Sequence, residues 1–388
     1  MLAFRSGPPG YRRWRLAVVL PALTASLFLA DVASRLMPFD WFTFRAWEAM
    51  THGARGGPFE ANKRYSQQGT YGDLAAMSNL PAFRVYRRET FTTDALGLRN
   101  PPALYAQGGA QAILLGDSLA AGSGVSDANT LAAQLTARTG RPVYSVAPMR
   151  LDPGGITRLA QRLGMAKGLV IYQHRSADPP PAVGAVMAVT RESGRLTMGD
   201  RIDQLVSMPA PPLQILVNRA MKRVQNDRIL ANPFAREAFV ATLQNGDRML
   251  FAATEPGFFR ATWPNLSPDL VAGIDRTVGS YAWYRDRLHA DGLDLLVVLV
   301  PVKYVVYRPL LLGGDAHAPH PSLYLEVLER QLRRADIHVI NLSDEFLEAA
   351  AQRLADRQYL YWLDDTHWNA GGIQVAANRI AAEWTGDR

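Results

Sequence analysis

Five short apolar runs, separated by stretches with helical spacing, constrain this chain more than any other feature. The runs are Ala112–Leu115, Val143–Val146, Leu169–Tyr172, Leu293–Val300 and Ile337–Ile340. Each is too short for a buried helix and is bounded by glycine, proline or polar residues, the mark of a strand. Between them lie helical patterns. One starts at Ser126-Asp127, runs through Leu131, Leu135 and Ala137, and is stopped by Gly140. Others cover 156–163, 270–290 and 322–334, and two more (344–354 and 370–384) close the chain. Strands alternating with helices make a parallel sheet covered on both faces. Leu293–Val300 is the most apolar run of the second half and reads as a central strand of that sheet. There is no internal repeat.

The composition is that of a folded globular chain, with 48% hydrophobic and 20% charged residues in a length of 388. The absence of cysteine excludes disulfides, iron–sulfur clusters, cysteine zinc sites and thiol catalysis, so any nucleophile is an oxygen. The net charge of +7 is concentrated at one end, because residues 1–15 carry Arg5, Arg12, Arg13 and Arg15 and no acid. An uncharged apolar run, Leu16–Ala30, follows and extends toward Met37; Trp41, Phe42 and Phe44 come next, as at a membrane interface. A cleaved signal peptide and an uncleaved anchor both start this way. Phe28 spoils a cut after Ala30 and Asp31 spoils one after Ala33, which leaves only a cut after Ser34 and favours the anchor. The expected organisation is a cytoplasmic basic tail (1–15), a single-pass inner-membrane anchor (16–37), a juxtamembrane linker (38–85) with room for a short helix, and a periplasmic globular domain (86–175 and 270–388). An insertion or cap (176–269) with helical pieces at 213–230 and 235–245 interrupts that domain. Nucleic-acid binding is not expected, since the basic excess is largely in the tail.

In a parallel sheet, ligands gather at the carboxyl ends of the strands. The first strand ends in Gly116-Asp117-Ser118, which presents a serine hydroxyl at the strand tip. A serine nucleophile needs a base within hydrogen-bond reach and a carboxylate to orient that base. Asp364-Asp365-Thr366-His367-Trp368-Asn369, just before the final helix, offers both on one loop in a chain with seven histidines. Other candidates are weaker. His317 and His320 lack a third ligand and read as a solvated loop, so no metal is expected. His174 is either a partnered strand-end residue or a substrate contact. The aromatic residues of 281–284 read as core.

At these residues the chain resembles the SGNH (GDSL-type) hydrolase family. Asp94-Ala95-Leu96-Gly97-Leu98-Arg99, followed by Ile113 to Val125 with its Gly-Asp-Ser, looks like the family's bacterial exopolysaccharide-modifying members. Pro301-Val302-Lys303-Tyr304-Val305-Val306-Tyr307 is similar to the Pro-x-Lys…Tyr segment of the alginate O-acetyltransferase group. Asp365-Thr366-His367-Trp368 is similar to that group's Asp-Thr-His-Trp signature. The resemblance implies a flavodoxin-like three-layer α/β fold with five parallel strands, Ser118 as nucleophile and His367 as base. The usual hydrolase spacing makes Asp364 the acid and is favoured; the alginate-type spacing makes it Asp365. The family's oxyanion glycine and asparagine have no clear counterparts, which leaves Ser118, Gly154, Gln173 and Arg175 as candidate donors. Lys303 either meets an anionic sugar or caps its strand end, and Trp368 is a candidate substrate contact. The implied function is a serine esterase or O-acetyltransferase, without cofactor, acting on an acetylated alginate- or cellulose-like exopolysaccharide. Its expected partners are a membrane acyl-donor protein and a polysaccharide synthase complex. The alternative is a non-catalytic accessory subunit of such a complex on a degenerate hydrolase fold.

Overall fold

The computed structural model describes residues 9–36, 44–52, 58–176, 237–257, 265–313 and 323–386, with a few isolated positions between 181 and 220. The elements before the sheet are helix α1 (Pro9–Leu36), helix α2 (Ala46–His52), strand β1 (Arg64–Thr70), helix α3 (Asp73–Met77) and strand β2 (Arg87–Thr92). Helix α4 (Pro102–Gln107) leads to strand β3 (Ala112–Leu115). Then come helix α5 (Leu131–Thr139), strand β4 (Val143–Ser145), helix α6 (Pro153–Arg162) and strand β5 (Gly168–Arg175). A hairpin of β6 (Ala238–Thr242) and β7 (Arg248–Ala252) precedes helix α7 (Pro268–Ala290) and strand β8 (Leu293–Val300). Helices α8 (Lys303–Tyr307) and α9 (Leu323–Arg334), strand β9 (His338–Asn341), and helices α10 (Ser343–Arg353) and α11 (Ala370–Thr385) complete the chain.

The central sheet has five parallel strands in the order β4-β3-β5-β8-β9. The chain starts at β3, steps outward to β4, then returns past β3 to β5, so the strand order reverses between β3 and β5. Open sheets of this kind bind ligands at the carboxyl ends of the two strands flanking such a reversal. Alternate residues feed two separate cores. Ala112 and Leu114 of β3 face a layer built from α5, α10 and α11, whereas Ile113 and Leu115 face α6, α7 and α9. Strand β8 is buried along seven of its eight residues, as its unbroken apolar run requires. Helix boundaries follow local chemistry. Thr130 caps α5 by accepting from Ala133 N, and Gly140 ends the helix in the left-handed region at φ 67°.

Two expectations are corrected. The segment expected as a linker (38–85) carries α2, β1 and α3, and β1 pairs antiparallel with β2 through Tyr65 and Phe91. Phe59, Tyr65 and Phe91 pack with Ala46 and Met50 of α2 in a small core of their own. Strand β1 was not legible because it is almost entirely polar; only Tyr65 and Thr70 turn inward. The helix expected over 235–245 is instead strand β6, which turns into β7 through Asn245-Gly246, with Gly246 at φ 86°. Other expected features lie outside the described residues: the helical piece near 213–230 apart from isolated positions, the 317–320 histidines, and Trp41 and Phe42. Helix α1 covers most of the segment expected as an anchor. Among the described residues no helix is long and apolar enough to cross a membrane, so the fold does not establish that anchor.

Candidate active site

Strand β3 delivers Ser118 through a turn that only glycine fits. Gly116 has φ 155°, and a Cβ there would lie 2.5 Å from Gln173 Oε1 and 2.6 Å from Ala120 Cβ. Asp117 Oδ1 accepts from Leu119 N at 2.8 Å and shapes the turn. The loop that follows is held by Arg99, whose guanidinium donates to the carbonyls of Ala121, Gly122 and Val125 at 3.2, 2.6 and 2.6 Å. This gives the Asp94–Arg99 element a structural purpose: Asp94 turns the chain by accepting from Leu96 N and Leu98 N, and Arg99 then braces the serine loop. Ser118 itself is half-buried.

From across the sheet, the loop before α11 brings the imidazole to the serine. His367 Nε2 lies 2.7 Å from Ser118 Oγ, and His367 Nδ1 lies 2.6 Å from Asp365 Oδ1. The carboxylate behind the histidine is therefore Asp365, two residues before it. Asp364, favoured by the usual hydrolase spacing, points the other way. Its Oδ2 accepts from Gly72 N (2.7 Å) and Val85 N (2.8 Å), and its Oδ1 accepts from Arg87 (2.9 Å). The two acids stand in the turn that precedes His367 and point to opposite partners, and the segment from Gly72 to Arg87 claims Asp364.

Arg87 joins the two acids, because its second terminal nitrogen donates to Asp365 Oδ2 at 2.7 Å. Burial alone would raise the Asp365 carboxyl. The charge and hydrogen bond of His367, then Arg87 and Arg45, overcome this and hold it well below the usual carboxylate range. Asp73, from α3, grips the next residue: its two oxygens accept from Thr366 N (2.8 Å) and Thr366 Oγ1 (2.6 Å). Burial, then the neighbouring Asp365 charge, push the Asp73 carboxyl up. Asp73, Asp365 and His367 offer ligand atoms within 4.8 Å of one another. Two arginines face this cluster and its oxygens already accept from Thr366, Arg87 and His367, so the chemistry is that of a proton site rather than a cation site.

Two expected substrate contacts are corrected. Lys303 is buried, and its ammonium donates to the carbonyls of Leu250 (2.6 Å), Trp362 (2.6 Å), Asp365 (2.9 Å) and Leu363 (3.4 Å). It staples the β6–β7 hairpin to the loop carrying His367. Burial lowers the ammonium to about 8 against the pull of Glu255 and the nearby aspartates. Trp368 is fully buried and donates from Nε1 to Leu119 O at 3.1 Å, tying the histidine loop to the serine turn. Of the expected oxyanion donors, Gly154 sits in the exposed first turn of α6, where Asp152 caps Gly155 N. Gln173 closes over the serine turn from β5, with Oε1 accepting from Asp117 N at 3.2 Å. Its buried Nε2 has no hydrogen-bond partner among the described residues. Arg175 pairs with Asp117 at 3.3 Å, beside Ser118. His174 is buried with Nδ1 3.1 Å from the Tyr281 hydroxyl, a partnered strand-end residue.

The geometry so brings together Ser118, His367, Asp365, Gln173 and Arg175. Sequence reasoning missed Arg87, Asp73 and Gly72. They stand in a polar stretch where a buried arginine looks like an exposed one, and no spacing signals them. No curated protein matches the chain. Residues 257–387 match a family model, and that stretch contains Asp365 and His367 but not Ser118. The family it identifies for residues 257–387 is the SGNH hydrolase-like domain of the acetyltransferase AlgX.

Proposed function

We propose that the protein is a serine acyl-transfer enzyme that moves an acetyl group onto a polysaccharide hydroxyl, with hydrolysis as the same reaction when water is the acceptor. The observation that carries this reading is the line Ser118 Oγ–His367 Nε2–Asp365 Oδ1, with links of 2.7 and 2.6 Å. His367 takes the Ser118 proton as Oγ attacks the acetyl carbonyl. The tetrahedral intermediate collapses when the leaving oxygen takes that proton back from Nε2, leaving an acetyl-serine. An acceptor hydroxyl then gives its proton to His367, attacks the acetyl carbon and frees Ser118. Asp365 stays ionised throughout and holds the imidazole in the tautomer that exposes Nε2 to the serine. Gln173 Nε2, which has no partner among the described residues and sits beside the serine turn, is our choice for a donor to the developing oxyanion.

The matched domain supports an acetyltransferase-related role, and an alginate- or cellulose-like glycan as substrate is our extension of that likeness. We place the globular part in the periplasm, held by the segment 16–37. The support is the uncharged run Leu16–Ala30 behind a basic tail, and side chains such as Val18, Leu23, Leu27 and Phe28 that are more than half exposed on α1. The test is acetyl transfer from a small acetyl ester to oligosaccharides, with release to water measured beside it, for the full chain and for Ser118→Ala. Loss of both activities in Ser118→Ala is expected. A wild-type chain that neither hydrolyses the ester nor acetylates any glycan would favour the accessory-subunit alternative.

A further inference from the structure

We propose that Arg87 is a positioning residue of this site: its guanidinium fixes Asp365 on the oxygen that His367 leaves free, and so sets the pH at which Ser118 becomes nucleophilic. The inference rests on the acyl-transfer reading above and deepens it. Asp365 has two oxygens and each has one dominant partner, His367 Nδ1 on Oδ1 at 2.6 Å and Arg87 on Oδ2 at 2.7 Å. Rotation of the carboxylate breaks both contacts together. The guanidinium cannot follow such a rotation, because its other terminal nitrogen is bound to Asp364 at 2.9 Å and to the Val85 carbonyl at 3.1 Å. Its central carbon also lies 4.2 Å from the centre of the Trp362 ring, a cation–π contact that fixes its plane. Gly124 closes over the pair at φ 81°, where a Cβ would lie 3.2 Å from Arg87 and 3.5 Å from both Asp365 and Trp362. The loop after Ser118 thus packs directly on the arginine–aspartate contact, and one side chain ties β2, the acid loop and the serine loop into a single register. Arg87 lies outside the matched stretch, so the site is completed by a part of the chain that the family model does not cover.

The charges around this unit come from several elements. Arg87 (β2) pairs with Asp365, Asp73 (α3) lies 3.6 Å from His367 Nδ1, and Arg45 (beside α2) pairs with Asp73 at 3.9 Å. Lys303 (α8) meets the Asp365 carbonyl, Glu255 accepts from Tyr304 N, and the Asp117–Arg175 pair flanks Ser118. With Arg87 removed, the Asp365 charge is no longer shared, and its attraction falls wholly on the imidazolium that forms as Ser118 gives up its proton.

The experiment compares the full chain with Arg87→Met and Arg87→Lys. It measures p-nitrophenyl acetate hydrolysis and the rate at which a fluorophosphonate labels Ser118, each as a function of pH. In Arg87→Met, kcat falls about 100-fold, as expected when a reacting group is misplaced by an ångström. KM is little changed, and the acid limb of both profiles moves to higher pH. Arg87→Lys keeps the cation but can meet only one carboxylate, so the acid limb returns toward the wild-type position while the rate stays intermediate. A folded Arg87→Met with wild-type labelling rate and an unshifted profile overturns the inference. If Arg87→Met does not fold, an unchanged labelling rate in Arg87→Lys overturns it and a reduced one supports it. A wild-type chain that is labelled but transfers no acetyl group sinks the function proposed above while the labelling profiles still judge Arg87; a chain whose Ser118 is never labelled sinks both.

Discussion

Replacing Asp365 and Asp364 by asparagine, one at a time, separates two carboxylates that are adjacent in sequence and opposite in purpose. Asparagine at 365 can still accept from His367 Nδ1, but it carries no charge to stabilise an imidazolium. It can equally turn its amide nitrogen to the ring and impose the wrong tautomer. The comparable change in serine enzymes costs about 10⁴ in kcat, or about 5 kcal/mol of transition-state stabilisation. The fold should survive, since Arg87 retains Asp364 at 2.9 Å. At 364 the expectation reverses. An amide oxygen can keep the bonds from Gly72 N and Val85 N, which leaves the amide NH₂ facing the Arg87 guanidinium. One charge-assisted hydrogen bond between side chains that are 7% and 0% exposed is lost. That loss is worth about 1.5–3 kcal/mol of stability. Asp365 keeps its own contacts, so kcat should fall by less than about tenfold. The assay is acetyl-ester turnover together with urea unfolding for both variants. The reasoning is refuted if Asp364→Asn abolishes turnover in a protein of wild-type stability, or if Asp365→Asn keeps a tenth or more of the wild-type kcat.

Three further outcomes are expected. Gly72→Ala should fail to fold or lose more than about 3 kcal/mol in urea titration, because its Cβ would collide with the Asp364 backbone and the loop beneath His367 cannot retreat. Lys303→Met should lose about 2–4 kcal/mol: it strands two buried carbonyls, bonded at 2.6 and 2.9 Å, and a part-buried one bonded at 2.6 Å, and the relief of ammonium desolvation offsets only part of that. Burial raises the Glu255 carboxyl from 4.5 to about 7, so the stability it contributes is full below 4.5 and is lost as pH rises through about 7. Glu255→Gln should flatten the decline in Tm across that window, and an identical Tm profile in wild type and variant would show that Glu255 does not titrate there.

Much of the sheet was legible because buried parallel strands must be continuously apolar, and Leu293–Val300 can be nothing else. Ser118 and His367 were legible because a strand tip and the approach to a final helix are where a parallel sheet collects its chemistry. The identity of the acid was not. Asp364 and Asp365 are alike in type and both buried, and only the backbone N–H groups of Gly72 and Val85 decide which one turns away. Trp368 was legible as special and misread in use, while Lys303 kept two uses open, since a lysine cradled by carbonyls and a lysine awaiting an anionic sugar have the same letter. Strand β1 and Arg87 were hidden, since their polarity is that of a solvated surface and their burial is imposed by partners far along the chain.

That distance has its own consequence. The bond from Gly72 N to Asp364 closes a loop of 292 residues, and the one from His367 to Ser118 closes 249. Contacts of such sequence separation form late in folding, because the chain entropy of closing the loop must be met before they return any energy. A partly synthesised chain that has emerged beyond Arg175 already holds Ser118, Arg87 and Asp73, yet it has an unremarkable serine hydroxyl. The arrangement makes the reactive constellation a property of the finished chain, assembled when the loop before α11 docks between the β1–β2 hairpin and the sheet.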